Sequence, residues 1–480
     1  MSEEYAGATA LETAARAAIE YRAAVIDAER TPVADYAEML RVFAGPTPKT
    51  GADGGAIIDE LVRLATPGIR ATTGRRFFGW VIGGSHPTGV AADWLTAAWG
   101  QNAGNLVASP AASAVEAVAA DWLLDLMGLP ATASVGFVTG ATVANFVCLA
   151  AARSEVLRQV GWDVEADGLF GAPPVEVLIG ADAHATVFSG LKYLGLGAQR
   201  VRTVATDDLG RMLAGDFERQ LKAAQGPLIA IAQAGQINTG ASDPFAAIAP
   251  MARDRGAWLH VDGAFGLWAQ AAPSRAVQTA GVELADSWAT DGHKWLQTPY
   301  DCGYAIARDP EAHRRAMAIS ASYLPPAAGA ERDPSAYVPE LSRRARGFAT
   351  WAMIRQYGRA GIAGMVERCC LIAAQMAARI AEEPGVALVC PVALNQLMIR
   401  FGADDDDERG DALTLATIGH LQADAVAFIG ASQWRGRWVL RCSVSSAATT
   451  DAAADETVAS VIGAWRKART NAANSRYPQP

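Results

Sequence analysis

The chain has 480 residues, of which 51% are hydrophobic and 19% charged, so it can bury a sizeable core divided over two or three domains. Its formal net charge of −9 provides no basic surface for nucleic acid or anionic lipid. No apolar run approaches the roughly 18 residues that a membrane span needs. We therefore expect neither nucleic acid nor a membrane as a partner.

The N-terminal part of the chain, residues 1–86, predicts a helical segment. Amphipathic helices are expected over 9–30 and 56–65, separated by a stretch rich in Gly and Pro at 44–55. The acidic start lacks the order of a secretory signal, in which a basic region precedes an apolar one. The six cysteines have no CxxC spacing, which favours reduced thiols over disulfides or a zinc site. These features predict a cytoplasmic protein with no metal site.

The next part of the chain, residues 87–356, predicts a large α/β domain. Short β-rich runs alternate there with segments of helical length, which indicates a mainly parallel sheet covered on both faces. The runs predicted as strands are 175–180, 200–204, 228–233, 257–261 and 303–307.

The remaining residues, 357–480, predict a small α+β domain. A loop rich in Pro and small residues at 324–340 leads into long helices over about 347–383. Strand-like runs at 396–401 and 437–444 follow, with a closing helix after the second.

Two candidate site segments follow predicted strands in the large domain, where open α/β sheets bind their ligands. In "GFVTGATVANF" (136–146), backbone N–H groups and the Thr142 hydroxyl at a helix start would cradle an anion. In "GADAHATVFSG" (180–190), His184 lies directly beyond a strand. Each has a structural alternative, namely a capped helix start and a histidine that only satisfies local hydrogen bonds.

Two further candidates carry opposite charges. Asp262 ends the β-rich run of "WLHVDGAFG", and a buried carboxylate needs a cation or hydrogen bonds; it could also be a helix cap or a structural salt bridge. Lys294 in "DGHKW" is either a lysine whose stem packs on Trp295 or a desolvated amine that attacks a carbonyl. Pyridoxal 5′-phosphate has a group for each of the four candidates: a phosphate, a flat ring, a ring nitrogen and an aldehyde.

Long motifs spread over nearly the whole chain give a family resemblance. The motifs are "SPAASAVEAVAADWLLDLMGLP", "GFVTGATVANFVCLAAAR", "DAHATVFSGLKYLGLG", "GQINTGASDP", "WLHVDGAFG", "DSWATDGHKWLQTPYDCG" and "LSRRARGFATWAMIRQYG". With these motifs the chain resembles the group II pyridoxal-phosphate-dependent amino-acid decarboxylases, which act on aromatic amino acids, histidine or glutamate. The resemblance implies fold type I, with a mainly parallel seven-stranded sheet in the large domain. It also implies a homodimer in which the N-terminal segment wraps the partner subunit.

The resemblance assigns catalytic roles to three residues. Lys294 would form the internal aldimine with pyridoxal 5′-phosphate, Asp262 would pair with the pyridinium nitrogen, and His184 would stack on the cofactor ring. The implied reaction converts an L-amino acid to its amine and CO2. Another fold type I lyase or an aminotransferase remains an alternative.

The resemblance also assigns the surroundings of the cofactor. Ala141 and Thr142 would bind the phosphate with His293 close by, and Ala264 would lie under the ring. Asp291 stands where the animal enzymes have Asn near the phosphate. An ionised acid there would repel the phosphate; alternatively, its carboxylate points at a backbone amide or pairs with an arginine.

Other positions bear on substrate and product. The segment 75–87 aligns with the family's side-chain pocket and places Trp80, Val81 and His86 there, which favours an aromatic or apolar substrate over glutamate. Gln236 replaces a threonine of the family pattern beside this pocket. Tyr337 is the candidate for the loop tyrosine that protonates Cα, although its alignment with that tyrosine is offset. Without such a proton donor, reaction with oxygen would give an aldehyde.

Overall fold

The computed structural model of the protein describes residues 7–26, 32–319 and 332–474. Helices precede the first strand, and some of their starts carry side-chain caps: Asp35 and Glu38, for example, form a reciprocal capping box. The helix predicted over 9–30 is described as Ala8–Val25. Within the described residues these helices are α1 (Ala8–Val25), α2 (Tyr36–Phe43), α3 (Gly54–Ala65), α4 (Pro87–Ala98) and α5 (Pro110–Leu126).

A seven-stranded sheet organises the large domain and confirms the predicted mainly parallel architecture. Its strands are β1 (Ser134–Val138), β2 (Glu176–Gly180), β3 (Arg202–Val204), β4 (Leu228–Gln233), β5 (Trp258–Asp262), β6 (Ser287–Asp291) and β7 (Gly303–Ala307). They lie in the order β1-β7-β6-β5-β4-β2-β3. Only β7 runs antiparallel to its neighbours, so β1 and β6, on either side of it, point in the same direction.

Helices cover the sheet on both faces, and two buried apolar clusters pack between helices and strands. Because both faces are covered, β1, β4 and β5 are buried along their whole length, which explains their nearly continuous apolar sequences. The helices are α6 (Ala141–Arg158), α7 (Val164–Asp167), α8 (Ala185–Tyr193), α9 (Ala214–Ala223), α10 (Phe245–Asp254) and α11 (Pro310–Met317).

The helix α12 (Gly347–Ala381) joins the two domains. It is bent at Gly358, whose φ of 59° is left-handed and favours glycine. The predicted domain boundary at 356/357 lies next to this bend. By length and composition α12 could cross a membrane, but half of that stretch is buried inside the protein, as in a core helix.

The small domain has a four-stranded antiparallel sheet in the order β10-β11-β9-β8. Its strands predicted at 396–401 and 437–444 are described as Gln396–Phe401 and Arg437–Ser443. The elements are β8 (Val386–Leu388), β9 (Gln396–Phe401), α13 (Asp407–Asp424), β10 (Gly430–Trp434), β11 (Arg437–Ser443) and α14 (Asp451–Asn474).

The first half of the loop predicted at 324–340 lies outside the described residues. Its second half contains a short 3₁₀ turn at Pro334–Tyr337. The Tyr337 ring packs edge-on against His313, with centroids 5.2 Å apart, and the Arg332 guanidinium lies 5.0 Å from the same ring. Tyr337 is therefore anchored to the body of the large domain by these two contacts.

Candidate active site

The ends of four strands bring the candidate residues to one edge of the large sheet. Asp262 is the last residue of β5 and Asp291 the last residue of its neighbour β6. His184 follows β2, and β1 leads into α6 at Ala141. Because these strands run in the same direction, their carboxyl ends share an edge, where ligands of open α/β sheets bind.

Lys294 lies in the turn after β6 and forms a salt bridge with Asp291. Its Nζ is 2.8 Å from Asp291 Oδ2, and the two side chains are 17% and 3% exposed. This placement favours the desolvated amine over a lysine that only packs its stem on Trp295. The ammonium sits in a pocket that is largely closed to solvent.

The second carboxylate oxygen of Asp291 reaches the start of α6. Oδ1 accepts the backbone N–H of Ala141 at 2.6 Å, and His293 Nε2 lies 3.4 Å from the same oxygen. His293 Nδ1 accepts the N–H of Cys302, so the ring proton of neutral His293 is on Nε2, facing Asp291. Desolvation lowers the pKa of His293.

Thr142 follows Ala141 in the first turn of α6. The N–H groups of a first helical turn have no partner within the helix, so they are available to an anion. The preceding residue, Gly140, packs so closely that an added Cβ would lie 3.0 Å from the His293 ring. A side chain at this position would have to displace the His293 ring slightly, so the start of α6 is closely packed.

Asp262 is buried, at 5% exposure, and lacks a cation at pairing distance. Its Oδ1 accepts the N–H of Ala264 at 3.2 Å, and no Lys, Arg or His nitrogen of the described ranges lies within 4.0 Å of its carboxylate. Burial raises the pKa of Asp262, while the charges of His184 and Lys294 act in the opposite direction. A buried carboxylate in this state would be stabilised by a protonated ring nitrogen.

His184 caps the start of α8 and leaves its ring exposed. Its Nδ1 accepts the N–H of Thr186, and the Thr186 hydroxyl is 2.8 Å from the same nitrogen. Desolvation lowers the pKa of His184, so the imidazole is neutral at pH 7 and carries its proton on Nε2. His184 and Asp262 line one small cavity. An exposed flat ring at this position suits stacking on another ring.

A buried chain of hydrogen bonds among polar side chains near Asp262 was not predicted from the sequence. Asn145 Oδ1 accepts from Nε2 of His260 at 2.8 Å, and Nδ1 of His260 lies 2.9 Å from the Ser287 hydroxyl. Asn145 Nδ2 has no partner at hydrogen-bond distance among the described residues. It is nevertheless close enough to lower the pKa of Asp262. The only sequence signal was a single Asn on the apolar side of "GATVANF".

The segment 75–87, predicted to line the substrate pocket, contacts the turn that carries Lys294 at two points. Gly83 lies so close to the Lys294 carbonyl that an added Cβ would be 1.8 Å from its oxygen. His86 donates its backbone N–H to Gln297 in the same turn, and its Nδ1 accepts the N–H of Thr88. Desolvation lowers the pKa of His86.

Trp80 and Val81 both have left-handed backbone angles, with φ of 54° and 58°. Val81 is buried, whereas the Trp80 side chain is 55% exposed beside Phe428. Upstream, Arg22 of α1 donates to the carbonyls of Gly84 and Ser85 and holds the end of this strained segment. Direct substrate contact by Trp80, Val81 and His86 stays a prediction.

Two other predicted residues are engaged in local structure. Gln236 Oε1 accepts the N–H groups of Asn238 and Thr239, and its Nε2 donates to the Asp182 carbonyl. These bonds use both ends of its amide, so they support a role in shaping its loop and do not support substrate binding. The contacts of Tyr337 with His313 and Arg332 likewise give no support within one chain to its predicted protonation of Cα.

The residues gathered at the sheet edge fit pyridoxal 5′-phosphate. Lys294 provides the amine for the aldehyde, Asp262 a carboxylate without a cation, and His184 an exposed ring. The start of α6 provides N–H donors for the phosphate. Among the residues that the structure describes, no cluster of three or more His, Cys, Asp or Glu side chains could hold a metal ion.

Comparisons with known proteins agree with this chemistry. Residues 38–401 match the model of the pyridoxal-dependent decarboxylase conserved domain. An aromatic-L-amino-acid decarboxylase of Bacillus atrophaeus is 25% identical over 421 residues, 84% of each chain. A phenylacetaldehyde synthase of Arabidopsis thaliana is 24% identical over 411 residues, 82% of each chain. The structure of Oryza sativa TDC with PLP and tryptamine superposes with a TM-score of 0.89 at 23% identity, covering 97% of this chain and 99% of that one.

Proposed function

The chain belongs to the pyridoxal-dependent decarboxylases, and we propose that it removes the α-carboxylate of an aromatic L-amino acid to give the amine and CO2. The observation that carries this proposal is the meeting of Lys294, Asp262 and His184 at the carboxyl edge of one sheet. The cofactor of the family is pyridoxal 5′-phosphate. When bound, it supplies a ring that accepts the electron pair left at Cα by departing CO2.

Each residue of the site has a distinct task. Asp262 would hold a proton on the ring nitrogen by its charge, because a buried carboxylate strongly favours a cationic neighbour. Lys294 would provide the amine for the cofactor aldehyde, and the first turn of α6 at Ala141 and Thr142 would bind the phosphate. His184, whose Nδ1 accepts the N–H of Thr186, would offer its ring for stacking and its Nε2–H as a donor to the substrate carboxylate.

An aromatic substrate is supported by the side chains and by the relatives. The exposed Trp80 and buried Val81 are apolar, and cations nearby in sequence are already engaged: Arg76 pairs with Glu456, and Arg75 donates to a backbone carbonyl. The named activities of the bacterial and plant relatives concern aromatic substrates. An acidic side chain would therefore find little charge complementarity here.

A homodimer is supported by apolar side chains exposed on the N-terminal segment and the helices that follow it. A second copy of this chain would cover such a surface. The exposed residues are Leu11, Ile19, Tyr36, Leu40, Phe43, Ile57, Leu61, Trp94, Leu95 and Trp99. Light scattering on the purified protein should give twice the chain mass of 50.2 kDa. Free and mostly buried cysteines support a location in the reducing cytoplasm.

A second candidate function is oxidative conversion of the same substrates to aldehydes. It is favoured by two observations: relatives of similar identity are aldehyde synthases, and Tyr337 is packed against His313. Decarboxylation would then be followed by reaction with O2 and water, giving the aldehyde, ammonia and hydrogen peroxide.

A substrate panel tests both functions. Purified protein with pyridoxal 5′-phosphate is incubated with L-phenylalanine, L-tyrosine, L-tryptophan and L-glutamate, and CO2, amine, aldehyde and peroxide are measured. We expect CO2 and amine from an aromatic substrate, and no product from the Lys294→Ala variant. Aldehyde with peroxide as the main products would establish the second function, and absence of CO2 from every amino acid would refute both.

A further inference from the structure

We propose that the carboxylate of Asp291 competes with the cofactor phosphate. It accepts hydrogen bonds from the same donor groups that the phosphate would need. This inference rests on the proposed function, because it takes the start of α6 as the phosphate site. Both carboxylate oxygens are engaged there: Oδ1 with the N–H of Ala141 at 2.6 Å, and Oδ2 with Lys294 Nζ at 2.8 Å.

Asp291 is surrounded by hydrogen-bond donors, as an anion bound to a protein would be. All three groups around its oxygens are donors, since His293 also points its Nε2–H at Oδ1 from 3.4 Å. The Ala141 N–H belongs to the first turn of α6, where the helix supplies no acceptor. The chain thus places a carboxylate of its own where the helix would otherwise attract an external anion.

Like charges in this location would interact strongly. Asp291 is 3% exposed and His293 11%, so water screens charges at the start of α6 only weakly. An incoming phosphate must share the Ala141 donor with Asp291 or displace its carboxylate. The ammonium of Lys294 must also leave its salt bridge before the amine can attack an aldehyde. Asp291 therefore opposes cofactor entry at two points.

An asparagine at this position would remove the charge and keep the shape. Its amide oxygen can still accept the Ala141 N–H, and its NH2 group can donate to a phosphate oxygen. We therefore expect Asp291→Asn to bind phosphate groups more tightly than the natural chain does. Asp291→Glu, which keeps the charge, should not gain affinity.

The test compares binding by the full-length protein after its cofactor has been removed. Tryptophan fluorescence gives the dissociation constant of pyridoxal 5′-phosphate, and competition gives that of inorganic phosphate, which has no aldehyde for Lys294. We expect both constants to fall at least tenfold in Asp291→Asn. The control is Asp286→Asn at the opposite end of β6, where the carboxylate accepts the Leu259 N–H; it should leave both constants unchanged.

The outcomes separate this inference from the proposed function. If the natural chain binds no pyridoxal 5′-phosphate, the proposed function fails and this inference with it. If the natural chain binds the cofactor but Asp291→Asn binds inorganic phosphate no more tightly, only this inference is overturned. Thermal unfolding shows whether the variant is folded, and Asp291→Ser provides a second uncharged replacement if it is not.

Discussion

Gln297 donates a hydrogen bond from its side-chain amide to the carbonyl oxygen of Lys294, at 2.9 Å. The same Nε2 donates to the Ser445 carbonyl of the small domain, and Oε1 accepts the N–H of Ala447. The backbone carbonyl of Gln297 accepts the N–H of His86. One buried glutamine thus joins the lysine turn to the small domain and to the predicted substrate pocket.

Replacing Gln297 with Leu should destabilise the protein and impair catalysis. Loss of the amide leaves the buried Ser445 carbonyl and the partly buried Ala447 N–H unpaired, each costing roughly 1–3 kcal/mol, so we expect a total loss of about 2–6 kcal/mol. Urea unfolding measures this loss. Gln433→Leu on the exposed surface of β10 is the control and should change stability by no more than about 0.5 kcal/mol. Equal stabilities of the two variants would contradict the proposed linking role.

Asp262→Asn should retain the cofactor and lose most of the decarboxylase activity. The amide has the size of the carboxylate but no charge to hold a proton on the ring nitrogen. Losing one partner of a buried charge pair costs about 3–5 kcal/mol, which corresponds to roughly 10²–10⁴-fold in rate. Turnover is measured as CO2 release, and bound pyridoxal phosphate is quantified after denaturation. Turnover near that of the natural chain would refute the assigned role.

Several strands of the large domain could be predicted from the sequence because its central strands are buried on both faces. Such strands must be almost wholly apolar, and 228–233 and 303–307 were predicted with the bounds that the structure has. β6 was not recognised as a strand, although its sequence was singled out for chemistry. Its Ser287, Thr290 and Asp291 are polar, yet all are buried. Partners distant in sequence satisfy two of them: Ser287 bonds with Trp258, and Asp291 with Ala141.

The site was foreseen to the extent that it follows from strand ends and motifs. His184 and Asp262 follow or end recognisable strands, so they could be placed on one edge, whereas Lys294 was found through its motif. The contacts of Asn145 with His260 and of Arg22 with Ser85 could not be foreseen. They join residues 115 and 63 positions apart, and no local pattern encodes such pairings.

The buried ion pair between Glu116 of α5 and Arg343 should be important for stability. Both guanidinium Nη atoms lie 2.7 Å from the carboxylate oxygens, and neither side chain is more than 1% exposed. Glu116→Gln leaves Arg343 buried beside a neutral group, so we expect stability to fall by about 3–5 kcal/mol.

An exposed ion pair that also involves α5 provides a control. Asp125 of α5 pairs with Arg359 of α12, but both side chains are more than half exposed. Asp125→Asn should therefore cost no more than about 1 kcal/mol. Urea midpoints of the two variants give the comparison, and equal losses would show that burial does not set the strength of the Glu116 pair.

Two buried histidines should make the protein sensitive to acid. Burial lowers the pKa of His260 and His313 to about 3, compared with roughly 6.5 in an unfolded chain. The unfolded state therefore binds more protons between these values. Each histidine contributes stability that is fully present above pH 6.5 and is lost as pH falls towards 3, at up to about 1.4 kcal/mol per pH unit.

The free energy of unfolding, measured in urea from pH 8 to pH 4.5, should decline below pH 6.5. In His260→Gln this decline should be shallower, although stability at pH 8 is lower because the bonds to Asn145 and Ser287 change. An unchanged slope in that variant would show that His260 is not neutral in the folded protein.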